Sequence, residues 1–273
     1  MAGRLLTALV GIPLLVGAIW LGAPWLTILV GAAVLLGLRE YHQMTNPTRS
    51  PVPLVLAAAW GLAIVVSAQM TDVWTNYLPH AVLGAGVLLS VPWVLVSLPR
   101  KDALVRWAVW AFGPFYVAFL LAHALLIREM DGGSDLGRDW LFFGIMVVFA
   151  TDTGAFFTGR LIGRHKMAPS ISPGKTWEGA VGGMVCALGI ALLLGSILEL
   201  GTPTWQATLV GAAAGVAAQL GDLLESRLKR ASGVKDAGRF LPGHGGVLDR
   251  ADSIVLAIPA VYYLLKFALD TSG

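Results

Sequence analysis

The sequence is short of charge. Only 13% of its 273 residues are Asp, Glu, Lys or Arg, about half the roughly 25% that soluble domains carry. That deficit, with 56% apolar residues and a mean hydropathy of +0.75, excludes a soluble globule of this length. Cysteine is almost missing. The single Cys186 rules out an intramolecular disulfide framework and a CxxC zinc site, so any metal must be held by oxygen or histidine. Long polar segments are absent too, the longest running from Glu225 to Arg250. With no room for an inserted soluble domain, function has to reside in helices and short loops. Glycine is plentiful at 33 residues, but the apolar runs around it exclude a disordered chain.

What is present is a series of apolar stretches of bilayer length. A hydrocarbon core about 30 Å thick needs roughly 20 residues at about 1.5 Å rise each. Leu5 to Leu38 is too long for one span and is broken at Gly22-Ala23-Pro24, which predicts two tightly connected spans. Further spans are expected at Val52 to Met70, Leu78 to Leu98, Trp107 to Ile127, Trp140 to Thr158, Trp177 to Leu198, Thr204 to Leu224 and Ser253 to Leu269. Arg4 ahead of an apolar run has the look of a signal peptide, but a second span follows at once, so the first is kept as a helix. The fold class is an all-α membrane protein, a polytopic bundle of about nine transmembrane helices. Residues 1–139 are expected to hold about five spans, and residues 140–273 to form the catalytic region of about four, with loops 159–176 and 225–250.

Of the 19 Lys and Arg residues, all but Arg128, Arg138 and Lys266 fall on the side of the N-terminus in this scheme. The asymmetry predicts a cytoplasmic N-terminus and cytoplasmic polar loops in a bacterial-type inner membrane, with the C-terminus outside. The isoelectric point near 9.2 is therefore read as topology, with membrane lipids and no nucleic acid as partners.

The richest segment for chemistry is Gly221 to Asp252. Asp222, Ser226 and Lys229 or Arg230 fall at i, i+3 or i+4 spacing, which puts a carboxylate, a hydroxyl and a cation on one face of a cytoplasmic helix end. Asp249 and Asp252 share a face of the next helix, and helices in sequence are usually neighbours, so Asp222 and Asp249 can meet. Two carboxylates repel unless a cation lies between them, and Mg²⁺ typically takes one or two carboxylates plus substrate phosphates. Around the pair lie Lys229, Arg230, Lys235, Arg239, His244 and Arg250, able to neutralise polyphosphate, while Gly243, Gly245 and Gly246 allow close backbone approach. The combination points to phosphoryl or nucleotidyl transfer. The plainer alternative is a basic loop that satisfies the positive-inside rule, with the aspartates as ordinary ion-pair partners.

This segment resembles the signature of the phosphatidate cytidylyltransferase (CDP-diacylglycerol synthase) family, S-x-x-K-R-x-x-x-x-K-D followed by H-G-G-x-x-D-R-x-D. Ser226, Lys229, Arg230, Lys235, Asp236, His244, Gly245, Gly246, Asp249, Arg250 and Asp252 meet every fixed position. A second block, Ala150 to Gly183, is similar to the family's D-T-G-A, G-R, G-K-H-K and S-P-K-K-T-W-E-G elements. Two positions depart from it: Arg164 stands for Lys and keeps the charge, whereas Gly174 stands for the first Lys of the pair and leaves Lys175 alone. The resemblance is detailed only over about Phe149 to Lys266.

Without the family, Asp152 inside the sixth span still marks a functional site, because a carboxylate at a helix centre costs about 2.5 to 3.5 kcal/mol on insertion scales. An interhelical hydrogen bond is its bland reading. Ser170, Ser172 and Thr176 precede a helix that starts near Trp177, where they can bind an anion, cap the helix, or both. His123 reads as a satisfied interior histidine. The Gly179/Gly183 and Gly211/Gly215 pairs permit close helix contact, within one chain by preference and otherwise in a homodimer.

The resemblance implies that CTP and phosphatidate give CDP-diacylglycerol and pyrophosphate. The expected site holds Mg²⁺, as two ions, on Asp222 and Asp249. Lys229, Arg230, Lys235 and Arg250 balance charge on nucleophile and leaving group. Asp236, His244 and Asp252 orient groups or support the metal, and Asp152, Ser170, Ser172, Lys175, Thr176, Ser226, Gly245 and Gly246 bind substrate. The rivals are a CTP-dependent lipid or polyprenol kinase and, outside enzymes, a transporter of phosphorylated solutes.

Overall fold

The computed structural model describes residues 2–46, 51–70, 77–97, 101–133, 135–238 and 245–268. Its helices are α1 (Ala2–Leu21), α2 (Trp25–Thr45), α3 (Val52–Gln69), α4 (Leu78–Ser97), α5 (Ala103–Arg128), α6 (Asp135–Ile162), α7 (Trp177–Ile197), α8 (Thr204–Ala231) and α9 (Leu248–Ala268). Every expected span falls on one of them. Six, α3 and α5 to α9, are long and apolar enough to cross a membrane. Shorter apolar stretches, Leu9–Leu21 and Leu78–Trp93, lie in α1 and α4, and α2 carries Arg39 and Glu40 near its end. Phe156, Phe157 and Leu161 of α6 and Val181, Val185 and Leu192 of α7 are exposed. Apolar faces that large belong against lipid in a multi-pass membrane protein.

The break between α1 and α2 falls at the expected place, with Gly22 at φ +65°, the left-handed geometry in which glycine ends a helix at no steric cost. Within α5, Pro114 lacks a backbone donor, and the ladder widens to a π segment over Pro114–Phe119. Five helices outrun their expected spans by four residues or more. α2 continues to Thr45, α5 begins at Ala103, α6 begins at Asp135 and ends at Ile162, α8 continues to Ala231, and α9 starts at Leu248. Hydropathy stops a span at its first charges, whereas the backbone continues where those charges pair within the helix. Arg138 binds Asp135 at 2.7 Å in α6, and Glu225 and Lys229 form an i, i+4 pair in α8. Lys229 and Arg230 also sit where cations favour a helix C-terminus. The loop expected from residue 225 thus begins near Ser232.

The chain groups into two compact units, residues 1–126 with 237–248, and residues 127–236 with 249–273. In the first, tryptophans and a tyrosine tie helices through N–H and O–H groups that would otherwise be orphaned: Trp60 donates to the Val82 carbonyl, Trp110 to that of Pro53, and Tyr41 to that of Val109 at 2.8 Å. His123 is fully buried, with Nδ1 2.8 Å from the Phe119 carbonyl.

In the second unit, α6, α7 and α8 approach closely because glycines line their contacts. A Cβ at Gly182 would lie 2.1 Å from Thr158 Oγ1, and one at Gly154 would lie 2.5 Å from Cys186 Sγ. Gly183 packs on Ala155, while Gly211 and Gly215 pack on Ala191 and Ala187. Both small-residue pairs are spent on contacts within the chain, the geometry that lets helices pack in lipid without a hydrophobic driving force. Between α6 and α7 the loop holds an antiparallel hairpin, β1 (Lys166–Ala168) and β2 (Ser172–Thr176).

Candidate active site

The second unit gathers the charged residues of α6, β2, α8 and α9 into one network. Asp152 of α6 accepts a hydrogen bond from Ser253 of α9 at 3.1 Å. Asp152, Asp222 and Asp252 lie within electrostatic reach of one another, and Lys175 and Arg250 both act on Asp152. Asp222 of α8 receives Lys175 Nζ at 2.8 Å and has Ser226 Oγ at 3.5 Å. One turn on, Lys229 lies between two acids: Glu225 of its own helix, and Asp249 of α9 at 2.7 Å. Glu225 is fully buried and Asp249 nearly so. The spacing argument that set Asp222, Ser226 and Lys229 on one helix end thus holds, and α9 supplies the opposing carboxylates.

Five carboxylates, of Asp152, Asp222, Glu225, Asp249 and Asp252, meet three cations, of Lys175, Lys229 and Arg250. The hard oxygen donors of the carboxylates are of the type a divalent cation takes. Among the described residues no three acidic, His or Cys side chains converge on one point.

The hairpin is positioned from both ends. Glu178, in the first turn of α7, accepts from the backbone N–H groups of Arg164 at 3.1 Å and His165 at 3.2 Å. Thr176 caps α7, its Oγ1 accepting from Gly179 N at 3.1 Å. Arg230 donates Nε to the Ile171 carbonyl and a terminal nitrogen to that of Val234, each at 3.2 Å. Its guanidinium therefore ties the hairpin to the end of α8. Ser170, Pro173 and Gly174 are exposed, and Ser172 is half-buried. Gly174 has open space where a side chain would go.

Of the remaining expected residues, Lys235 and Asp236 are exposed in the connection after α8, and Arg250 is exposed on α9. His244, with Arg239 and Gly243, lies outside the described residues. Gly245 adopts φ +83°, a turn conformation that glycine alone takes cheaply. Gly246 is packed against the Glu40 carboxylate. Sequence reasoning assigned no role to three acids: Glu225, Glu40 and Glu178, the last of which lies within the W-E-G element of the family pattern. For Glu225 a signal was available, its i, i+4 spacing to Lys229.

A polytopic helical membrane protein with a charged cluster between helix ends is the class that fold and site define. The profile of the cytidylyltransferase family matches residues 2–268, and the chain belongs to that family, as a nucleotidyltransferase. It is similar to the phosphatidate cytidylyltransferase of Staphylococcus saprophyticus, with 32% identity over 262 residues, 96% of this chain and 98% of the relative. The phosphatidate cytidylyltransferase of Staphylococcus haemolyticus is 32% identical over 263 residues, again 96% and 98% of the two chains. That of Staphylococcus aureus is 32% identical over 262 residues with the same coverage.

Proposed function

We propose that this chain transfers the cytidylyl group of CTP to phosphatidate, giving CDP-diacylglycerol and pyrophosphate, at the cluster around Asp222 and Asp249. The observation that carries the reading is the meeting of α8 and α9 through Lys229 and Asp249, within a chain that aligns end to end with phosphatidate cytidylyltransferases. One substrate is a soluble triphosphate and the other a lipid whose phosphate sits at the interface, so a site at helix ends serves both.

In the reaction a phosphatidate oxygen attacks the α-phosphorus of CTP, a new P–O bond forms, and the bond to the β-phosphate oxygen breaks as pyrophosphate leaves. A phosphomonoester with a second pKa of about 6 is largely ionised at neutral pH, so the chain needs no strong base. Asp222 and Asp249 would hold Mg²⁺, which would supply positive charge to the triphosphate. Lys175, on the hairpin beside Asp222, is placed to meet phosphate, and Arg250 adds a second cation that acts on Asp152. Lys229 keeps Asp249 in place. Arg230 holds the hairpin that carries Lys175.

Purified protein incubated with CTP, Mg²⁺ and phosphatidate is expected to release pyrophosphate and CDP-diacylglycerol. Release of CDP with a phosphorylated lipid would replace the reading with a kinase. The charge asymmetry supports a cytoplasmic hairpin in a bacterial cell. In a Cys186→Ala background, a cysteine at Gly174 should label from the cytoplasmic side only and one at Glu199 from the opposite side only; the reverse pattern would invert the topology.

A further inference from the structure

The turn that leads into α9 is held by a residue from far away in the sequence. Glu40, near the end of α2, is only 4% exposed, and its two carboxylate oxygens accept from the backbone N–H groups of Val247 at 3.0 Å and Leu248 at 2.9 Å. The first N–H groups of a helix have no partner within it, and the helix dipole favours negative charge at that end. A carboxylate taking two of them satisfies both demands and fixes where α9 begins. Asp249 is the next residue.

Glycine at two positions is explained by the same carboxylate. A Cβ at Gly246 would lie 2.4 Å from Glu40 Oε2, and its three nearest atoms all belong to Glu40. A Cβ at Gly238 would lie 2.3 Å from Glu40 Oε1, again with only Glu40 atoms nearest. The glycine-rich turn therefore leaves room for a resident anion supplied by the chain itself.

We propose that Glu40 is a positioning residue for Asp249: by closing the N-terminus of α9 it sets the helix start from which Asp249 projects. The proposal rests on the reading that Asp249 serves cytidylyl transfer. It predicts an unusual coupling, in which Gly246→Ala is damaging only while Glu40 is present.

The test uses full-length protein in detergent and compares wild type, Glu40→Ala, Glu40→Gln, Gly246→Ala and the Glu40→Ala/Gly246→Ala pair. It reads turnover, the Michaelis constant for CTP, and amide hydrogen exchange. Glu40→Ala should lower kcat at least about tenfold, equivalent to about 1.4 kcal/mol, while the Michaelis constant moves less than roughly threefold. Faster exchange should be confined to Val247, Leu248 and Asp249. Glu40→Gln, which keeps one acceptor oxygen, should fall between wild type and Glu40→Ala. Gly246→Ala should reproduce the loss of Glu40→Ala and add nothing to it in the double variant, since sites that act as a unit are non-additive. Wild-type turnover and exchange in Glu40→Ala would overturn the proposal, as would losses that add in the double variant. Exchange rising throughout the chain would also overturn it, by making Glu40 a general fold determinant. If the wild type transfers no cytidylyl group, the functional reading fails by itself, and exchange at residues 247–249 with the double-variant comparison still decides whether Glu40 holds the helix start.

Discussion

Lys175 and Lys229 each grip a carboxylate of the same cluster, in opposite settings. Lys175 reaches Asp222 from the hairpin, with side chains 20% and 35% exposed. Lys229 is 13% exposed and bridges Glu225 and Asp249, whose side chains are 0% and 6% exposed. The first contact joins a short loop to a helix, with the Lys175 ammonium shielded and Asp222 about a third exposed. The second is sealed between two helices. Breaking a pair whose carboxylate is partly open strands less charge than breaking a sealed pair, which cannot lose one partner without burying the other alone. Of the two carboxylates expected to hold Mg²⁺, Asp222 is therefore the more accessible one, and Asp249 is held fast by the lysine that neutralises it.

The comparison is broken most severely at Lys229. Lys229→Ala leaves Glu225 and Asp249 buried without their cation, and the expected loss is about 3 to 5 kcal/mol of stability, read as a lowered unfolding temperature together with lost turnover. Because that variant can fail to accumulate, Lys229→Met with Glu225→Leu offers a check: removing the buried charge with its partner should restore much of the unfolding temperature but not the turnover. A Lys229→Ala protein of unchanged stability would show that the sealed pair is not structural.

Lys175→Ala should behave differently. It strands only the partly exposed Asp222, so its stability cost is expected to be smaller than that of Lys229→Ala. The Michaelis constant for CTP should rise roughly tenfold while kcat stays within about threefold, the pattern of weakened ground-state binding. If phosphatidate binding weakens in place of CTP binding, the hairpin faces the lipid substrate.

The smallest effect is expected at Gly174. Its φ is outside the left-handed region and nothing lies within 4 Å of the place a Cβ would take, so a side chain meets no strain there. Gly174→Lys restores the charge that the family pattern carries and should lower the Michaelis constant for CTP by roughly two- to threefold at unchanged stability. Lost stability would contradict the open surroundings of that residue.

Much of this arrangement was readable before any coordinates. Apolar run length marked the helices of the described residues, six of them long and apolar enough to cross a membrane, because the bilayer sets that length directly. The Gly22-Ala23-Pro24 break and the Thr176 cap carry local chemistry that needs no tertiary context. What escaped depends on pairing. The ends of α6 and α8 were drawn short because Arg138–Asp135 and Glu225–Lys229 turn apparent loop charges into helix contacts. The hairpin at Lys166–Ala168 and Ser172–Thr176 has strands too short for a periodic signal. Arg230 reads from the sequence as a phosphate-binding cation, and its bonds to the Ile171 and Val234 carbonyls are set by the tertiary fold. Glu40 lies 207 residues from Val247, and nothing in a polar residue near a helix end announces so distant a partner.

The central claim is that the carboxylates of this cluster carry out the transfer, and Asp222→Asn tests it most directly. Asn keeps the size of the side chain and removes the charge at the more exposed of the two positions, so the protein should remain folded. Turnover of CTP and phosphatidate to CDP-diacylglycerol, measured at saturating Mg²⁺ on protein of unchanged unfolding temperature, is expected to fall below about a tenth of the wild-type rate, a loss of more than about 1.4 kcal/mol in transition-state stabilisation. A folded Asp222→Asn protein that retains more than about a tenth of the rate would contradict the claim and move the chemistry away from this carboxylate.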